Sequence, residues 1–363
     1  MINPRRTATL GLLASLALII GACQAAESPG SSASADPSID ASASASQAAE
    51  AETTYEDGDQ ITLIVPFSAG GGVDLHARTL QPFFQEALRE VTGKDVSIVV
   101  QNVEGAGGQI ATEGVFRETG DNTQLVIFNS GGTAIQQVVD GAAFDITEMA
   151  PIGQVAALSI VMVTREGVLP EDATFDDLVA RAQEEPILWA GVGASPPRQL
   201  MPAILAENGI DFPIEEVNFD GTPDIVASML REEVEVFNIS IDTALDQIAA
   251  NPTLQILFNF SDERDPLAPD VPTLVEQDVP GAEDIALATS GQPRVIMAPP
   301  GLEEADVAAL QEAFNTAMSD EDFIAAAEEA GSPILFGDAA SVEVALAEMI
   351  DWFTENQDLL AEG

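Results

Sequence analysis

The chain has 363 residues, enough for two domains of ordinary size, and 46% of them are apolar, so a large core is available. Its 61 acidic residues against 12 basic ones give a formal net charge of −49, which excludes a nucleic-acid partner, since phosphate backbones need a basic surface. Lys94 is the only lysine and Cys23 the only cysteine; the acid excess with lysine depletion looks like a halophile's surface, or simply a highly charged soluble exterior, and a disulfide within the chain is impossible.

Residues 1–22 read as a secretion signal. Arg5 and Arg6 form a positive start, and an apolar run over 8–22 is too short to span a bilayer comfortably. Small residues Gly21 and Ala22 precede Cys23. Ile20-Gly21-Ala22-Cys23 resembles the lipobox of bacterial lipoproteins, which implies that Cys23 becomes a lipidated N-terminus and anchors the chain to a membrane. An ordinary signal peptide with an incidental cysteine is the competing reading. Residues 23–57, rich in Ala, Ser, Asp and Glu, hold too few large apolar side chains to fold and read as a flexible tether that includes Tyr55, the only tyrosine.

The folded part opens on residues 61–65, a β-branched run that reads as a buried strand ending at Pro66. Phe67, Ser68, Ala69, Gly70, Gly71 and Gly72 form a loop, and Asp74 begins a helical pattern. Strand, glycine loop and helix start together leave backbone N–H groups free for an anion; a tight turn without a ligand explains the same residues. A second strand, 96–100, runs into Gly105-Ala106-Gly107-Gly108, and a third, 125–128, into Asn129-Ser130-Gly131-Gly132. Further on, an apolar run within 152–164 suits a crossing strand. Gly193-Ala194-Ser195 precedes a helix carrying Arg198, and a strand at 216–219 leads through Phe219 and Asp220 to Gly221. A strand at 294–298 and helices at 303–319, 321–330 and 342–360 close the chain. This alternation implies parallel α/β layers, with ligands at the C-terminal strand ends.

These loops resemble, in order, the extracytoplasmic solute receptors of the tripartite tricarboxylate transporter family. The resemblance rests on Val65-Pro66-Phe67-Ser68-Ala69-Gly70-Gly71-Gly72-Val73-Asp74-Leu75-His76-Ala77-Arg78 and Val100-Gln101-Asn102-Val103-Glu104-Gly105-Ala106-Gly107-Gly108. It extends to Val217-Asn218-Phe219-Asp220-Gly221, to Arg264 with Pro269-Asp270-Val271-Pro272-Thr273-Leu274-Val275-Glu276, and to Ala298-Pro299-Pro300-Gly301. It implies a type II periplasmic-binding-protein fold, with one α/β domain from 58–158 and 290–363, a second from 159–289, and a cleft between them. It also implies a small carboxylate ligand and a membrane permease as partner. Departures lie at Ala69 for a proline, and at Ser195, Pro196, Gln199 and Asp220 for glycine, serine, histidine and lysine, so the second domain's side of the site is unusual.

The expected ligand-binding set is therefore Phe67, Ser68, Ala69, Gly70, Gly71, Asp74, Gly105, Ala106, Gly107, Gly108, Ser130, Gly131, Ala194, Ser195, Arg198, Phe219, Asp220 and Gly221. Asp74 either orients a ligand-bridging water or caps its helix. Arg198 either meets the ligand, closes the cleft, or pairs with nearby surface acids. One histidine, His76, and one cysteine make no zinc cluster or nucleophile–base pair, so neither enzyme chemistry, metal nor cofactor is expected. A monomer that feeds a permease is the principal reading; a receptor signalling to a membrane sensor is the alternative.

Overall fold

The computed structural model describes residues 52–170, 172–289, 292–357 and 359. The signal segment, Cys23 and the tether up to residue 51 lie outside the described residues. The tether reading also took in Tyr55, and there the structure corrects it. Tyr55 is buried, and its hydroxyl donates to the Asn122 carbonyl at 3.0 Å. The Thr54 amide donates to Asp306 at 2.7 Å, and Asn122 donates to the same carboxylate at 2.8 Å. One aromatic in a run of Ala, Ser and acids is enough to pin the segment, because it buries a large apolar ring while its polar tip finds a partner.

The first lobe comprises β1 (Gln60–Val65), α1 (Gly72–Thr92), β2 (Ser97–Asn102), α2 (Gln109–Arg117), β3 (Gln124–Asn129), α3 (Ser130–Val138) and β4 (Ala150–Leu158). The second holds β5 (Ile160–Arg165), α4 (Phe175–Glu184), β6 (Ile187–Gly191), α5 (Pro196–Glu207), β7 (Ile214–Asn218), α6 (Thr222–Leu230), β8 (Val236–Ser240), α7 (Ile241–Ala250), β9 (Leu254–Asn259) and α8 (Ala282–Thr289). The chain then returns to the first lobe as β10 (Gln292–Ala298), α9 (Glu304–Met318), α10 (Glu321–Glu329) and α11 (Ala339–Glu355).

The two five-stranded sheets have orders β2-β1-β3-β10-β4 and β7-β6-β8-β5-β9. Neither is purely parallel, which corrects the expectation from alternation. β10 runs antiparallel to β3 and β4, and β5 antiparallel to β8 and β9. The cause is the crossing. β4 and β5 are separated only by Ser159, so the chain enters the second sheet from the cleft side, against its other strands. β10 enters the first sheet in the same sense.

Each central strand is buried on both faces, which is why Leu63, Ile64 and Val65 read as an unbroken apolar run. α1 and α9 cover one face of the first sheet, with Phe84 edge-on to Phe314 at 6.0 Å. α3, read from sequence as a loop, is a helix whose start Ser130 is fully buried. In the second lobe Trp189, Phe212, Phe258 and Phe260 form an aromatic cluster behind the cleft. No helix among the described residues is long and apolar enough to cross a membrane.

Candidate functional site

A cavity of about 130 Å³ lies between the lobes. A cavity of about 150 Å³ takes up benzene, so this one suits a compact ligand of similar size. Five helices begin on its wall. Their N-caps are Gly71 for α1, Asn129 for α3, Ser195 for α5, Gly221 for α6 and Ser240 for α7, and all five line the cavity. None of the five uses a side chain to cap its helix. By contrast, Asp320 and Asp338, away from the cavity, cap α10 and α11 with their carboxylates. The positive dipole ends of five helices thus point at one small space, with orphan amides from four of them, since α5 opens on Pro196 and Pro197, which carry no N–H; the arrangement favours an anion.

Among the described residues, the only charged one on this wall is Arg294, at the cleft end of β10. It is 3% exposed. Its Nε donates to Asn129 Oδ1 at 3.1 Å, its Nη1 to the Gly72 carbonyl at 3.0 Å and also to His76 Nδ1. Of its five N–H donors, the two on Nη2 have only Ser240 Oγ, at a long 3.4 Å, so Nη2 holds the spare donor for a ligand. Buried Asp242, on the opposite lobe, stands 3.8 Å from Nη1 as counter-charge. Sequence reasoning missed Arg294 because it looked for ligands at C-terminal strand ends, and β10 runs the other way.

His76 lies behind this arginine. Arg294 donates to Nδ1, so Nε2 carries the proton and donates to the Pro333 carbonyl at 3.1 Å. Burial, then the Arg294 charge, push the imidazole below its ordinary range, with Asp242 and the carbonyls of Gly72 and Pro333 opposing. The unfolded chain therefore takes up a proton that the folded chain refuses as pH falls through about 6.5. Stability from this group is full above that pH and is lost below it, by at most about 1.4 kcal/mol at one unit lower. Urea midpoints at pH 8 and 5.5 should show this loss in the wild type, and His76→Gln should remove that component.

Of the residues expected from sequence, Phe67, Ser68, Gly71, Gly107, Ala194, Ser195 and Gly221 line the cavity together. Ala69, Gly70, Ala106 and Asp220 are exposed, and Gly105 and Phe219 stand away from the wall. Gly108 packs under Pro66 and Phe67, while Ser130 and Gly131 lie one step behind the wall, inside α3. Asp74 holds the first loop rather than facing the cavity. Its Oδ2 accepts from the Gly70 amide at 2.8 Å and Arg78 Nε at 2.9 Å, and its Oδ1 accepts from Asn102 at 3.0 Å. Burial works to raise its pKa, but the hydrogen bonds from Arg78, Gly70 and Asn102 outweigh it and hold the carboxyl below its ordinary range.

Arg198, expected to meet the ligand, close the cleft or pair with surface acids, does not line the cavity and pairs with one such acid, Glu216, but from a buried position. It is 1% exposed and its guanidinium lies flat on the bare backbone of Gly191. Nη2 donates to the Gly193 carbonyl and to Asn218 Oδ1, and Glu216 stands 3.3 Å from Nε. It braces the loop that presents Ala194 and Ser195.

The lobes are closed on one another. The loops at Gly107 and Gly193 meet backbone to backbone. A Cβ on Gly132 would fall 2.6 Å from the Ala194 carbonyl, and one on Gly221 2.5 Å from Ser68 Cβ. The Ser68 amide donates across the cleft to the Asp220 carbonyl at 3.3 Å.

Residues 82–350 match the family described as tripartite tricarboxylate transporter family receptor. The chain belongs to this family. A Pseudomonas sp. (strain P51) protein, called the UPF0065 protein in the tcbD-tcbE intergenic region, is 26% identical over 278 residues, covering 75% of this chain and 77% of that one. The fold matches MatC (Rpa3494) from Rhodopseudomonas palustris with bound malate, at a TM-score of 0.69 and 21% identity over 84% of this chain and 99% of that one. It also matches R. palustris Rpa4515 with adipate, at 0.67 and 20% identity over 84% and 97%. The receptor has the two-domain fold of periplasmic binding proteins, and as a family member it is a solute-binding protein rather than an enzyme.

Proposed function

We propose that this receptor is an extracytoplasmic lipoprotein, anchored through Cys23, that captures one small carboxylate in its cleft and delivers it to the membrane permease of a tripartite tricarboxylate transporter. The lobes 58–158 with 290–363, and 159–289, act as the two jaws, and the protein works as a monomer. The observation that carries the reading is the convergence of five uncapped helix starts and the spare Nη2 donor of Arg294 on one cavity of about 130 Å³. A tricarboxylate of citrate size exceeds such a space, whereas a compact dicarboxylate suits it better.

Native mass spectrometry of gently purified protein should reveal a co-purified organic acid, and calorimetry with four- to six-carbon acids should give saturable binding. Salt supplies a further check. An anionic ligand must approach a chain of formal charge −49. At 1 M salt the Debye length is about 3 Å, so distant acids stop repelling it while direct N–H contacts persist. Binding should therefore tighten between 0.05 M and 2 M potassium chloride. Weaker binding at the higher salt would show that long-range attraction to a basic site dominates instead.

A further inference from the structure

The second lobe's contribution to the cavity is organised by a chain of hydrogen bonds whose direction is set by chemistry. Trp189, on β6, is fully buried, and its Nε1 donates to Asn238 Oδ1 at 2.9 Å. An indole N–H can only donate, so the Asn238 oxygen must face it and the amide nitrogen must face the other way. That nitrogen donates to Ser195 Oγ at 2.7 Å. One lone pair of the Ser195 hydroxyl is thereby occupied. The Ser195 side chain makes no cap bond to its own helix, while the Ser195 amide donates to Gln199 Oε1 at 2.7 Å. No protein acceptor for the Ser195 O–H stands among the described residues, and both Ser195 and Asn238 line the cavity.

We infer that Ser195 is a fixed hydrogen-bond donor to the ligand, with Asn238 and Trp189 as its positioning residues. A serine hydroxyl ordinarily rotates between donor and acceptor roles. Here the amide of Asn238 removes the acceptor option on one side, and Trp189 prevents that amide from turning over. The hydroxyl's second lone pair stays open, but a ligand N–H placed on it would leave the O–H without a partner, so the second lobe favours an acceptor oxygen, carboxylate or carbonyl, at this point of the ligand. The inference rests on the carboxylate-receptor reading and adds which atoms select the ligand.

Calorimetry with malate, succinate, adipate and butyrate selects the tightest-bound acid as probe. Ser195→Ala should weaken that probe about 10- to 150-fold, the range for one hydrogen bond to a charged group. Asn238→Leu should weaken it as well. The double variant should bind within about threefold of Ser195→Ala alone, because the amide acts through the hydroxyl. Melting curves of the ligand-free variants check folding. If Asn238→Leu fails to fold because the indole N–H is orphaned, Trp189→Phe combined with Asn238→Leu takes its place in the cycle. Binding by Ser195→Ala within twofold of wild type overturns the inference and leaves the carboxylate reading intact. Additive losses overturn the relay. If none of the four acids binds the wild type, the functional reading itself fails.

Discussion

Replacing Arg294 with glutamine removes most of the affinity for carboxylates and, separately, much of the stability. The binding loss follows from Nη2, the only donor of a formally charged group on the cavity wall. Truncating one partner of a buried, hydrogen-bonded charge pair costs about 2–5 kcal/mol, or roughly 30- to 4,000-fold in affinity. The stability loss follows from Asp242, 4% exposed, which loses its counter-ion at 3.8 Å. Breaking such a pair from one side costs about 3–5 kcal/mol. Denaturant titration and calorimetry distinguish the two effects when Arg294→Gln is combined with Asp242→Asn. The pair should regain most of the stability, since no unpaired charge remains, yet stay unable to bind the acid. Recovery of binding in the double variant would mean that the helix starts alone hold the ligand.

Gly107→Val and Gly193→Val should each weaken binding roughly 5- to 150-fold while both lobes stay folded. Gly107 has φ +62° and Gly193 φ +61°, and each stands where the other's Cβ would go. A side chain on either therefore overlaps the opposite loop when the cleft closes. Overpacking of this kind costs about 1–3 kcal/mol and falls on the closed state, because the two loops belong to different lobes, while the positive φ strains valine in the open and closed states alike. Glycine at these positions is thus explained by the approach of two backbones, beyond any need to leave N–H groups bare for a ligand. The readouts are the dissociation constant and the radius of gyration by small-angle scattering, which should grow in both variants. Gly71→Ala is the control. Its Cβ would meet the Ser68 carbonyl at 3.6 Å and Thr222 Oγ1 at 3.9 Å, ordinary contacts. A larger loss there than at Gly193 would remove the closure account.

Local chemistry made much of the fold and part of the site legible. Apolar runs such as 61–65 and 125–128 could only be buried strands, and a glycine-rich loop before a helix start leaves amides free wherever it sits. The family resemblance, added to this local reading, brought Phe67, Ser68, Gly71, Gly107, Ala194, Ser195 and Gly221 into view as neighbours of one cleft. What local pattern does not carry is the direction of a strand in its sheet. β10 looks like any other strand, yet it runs antiparallel because the chain re-enters the first lobe from the cleft, and this alone places Arg294 at the cavity. Arg198 shows the converse: an arginine in a promising loop is turned inward by the bare backbone of Gly191 and the carbonyl of Gly193. Tyr55 was misread because composition averages over a segment, whereas burial is decided by one ring and one acceptor from Asn122, 67 residues away in sequence. The residue types and loop positions belong to the sequence. Which cation faces the ligand, which way each hydroxyl points and which glycines touch across the cleft depend on contacts between distant segments, and only the tertiary structure decides those.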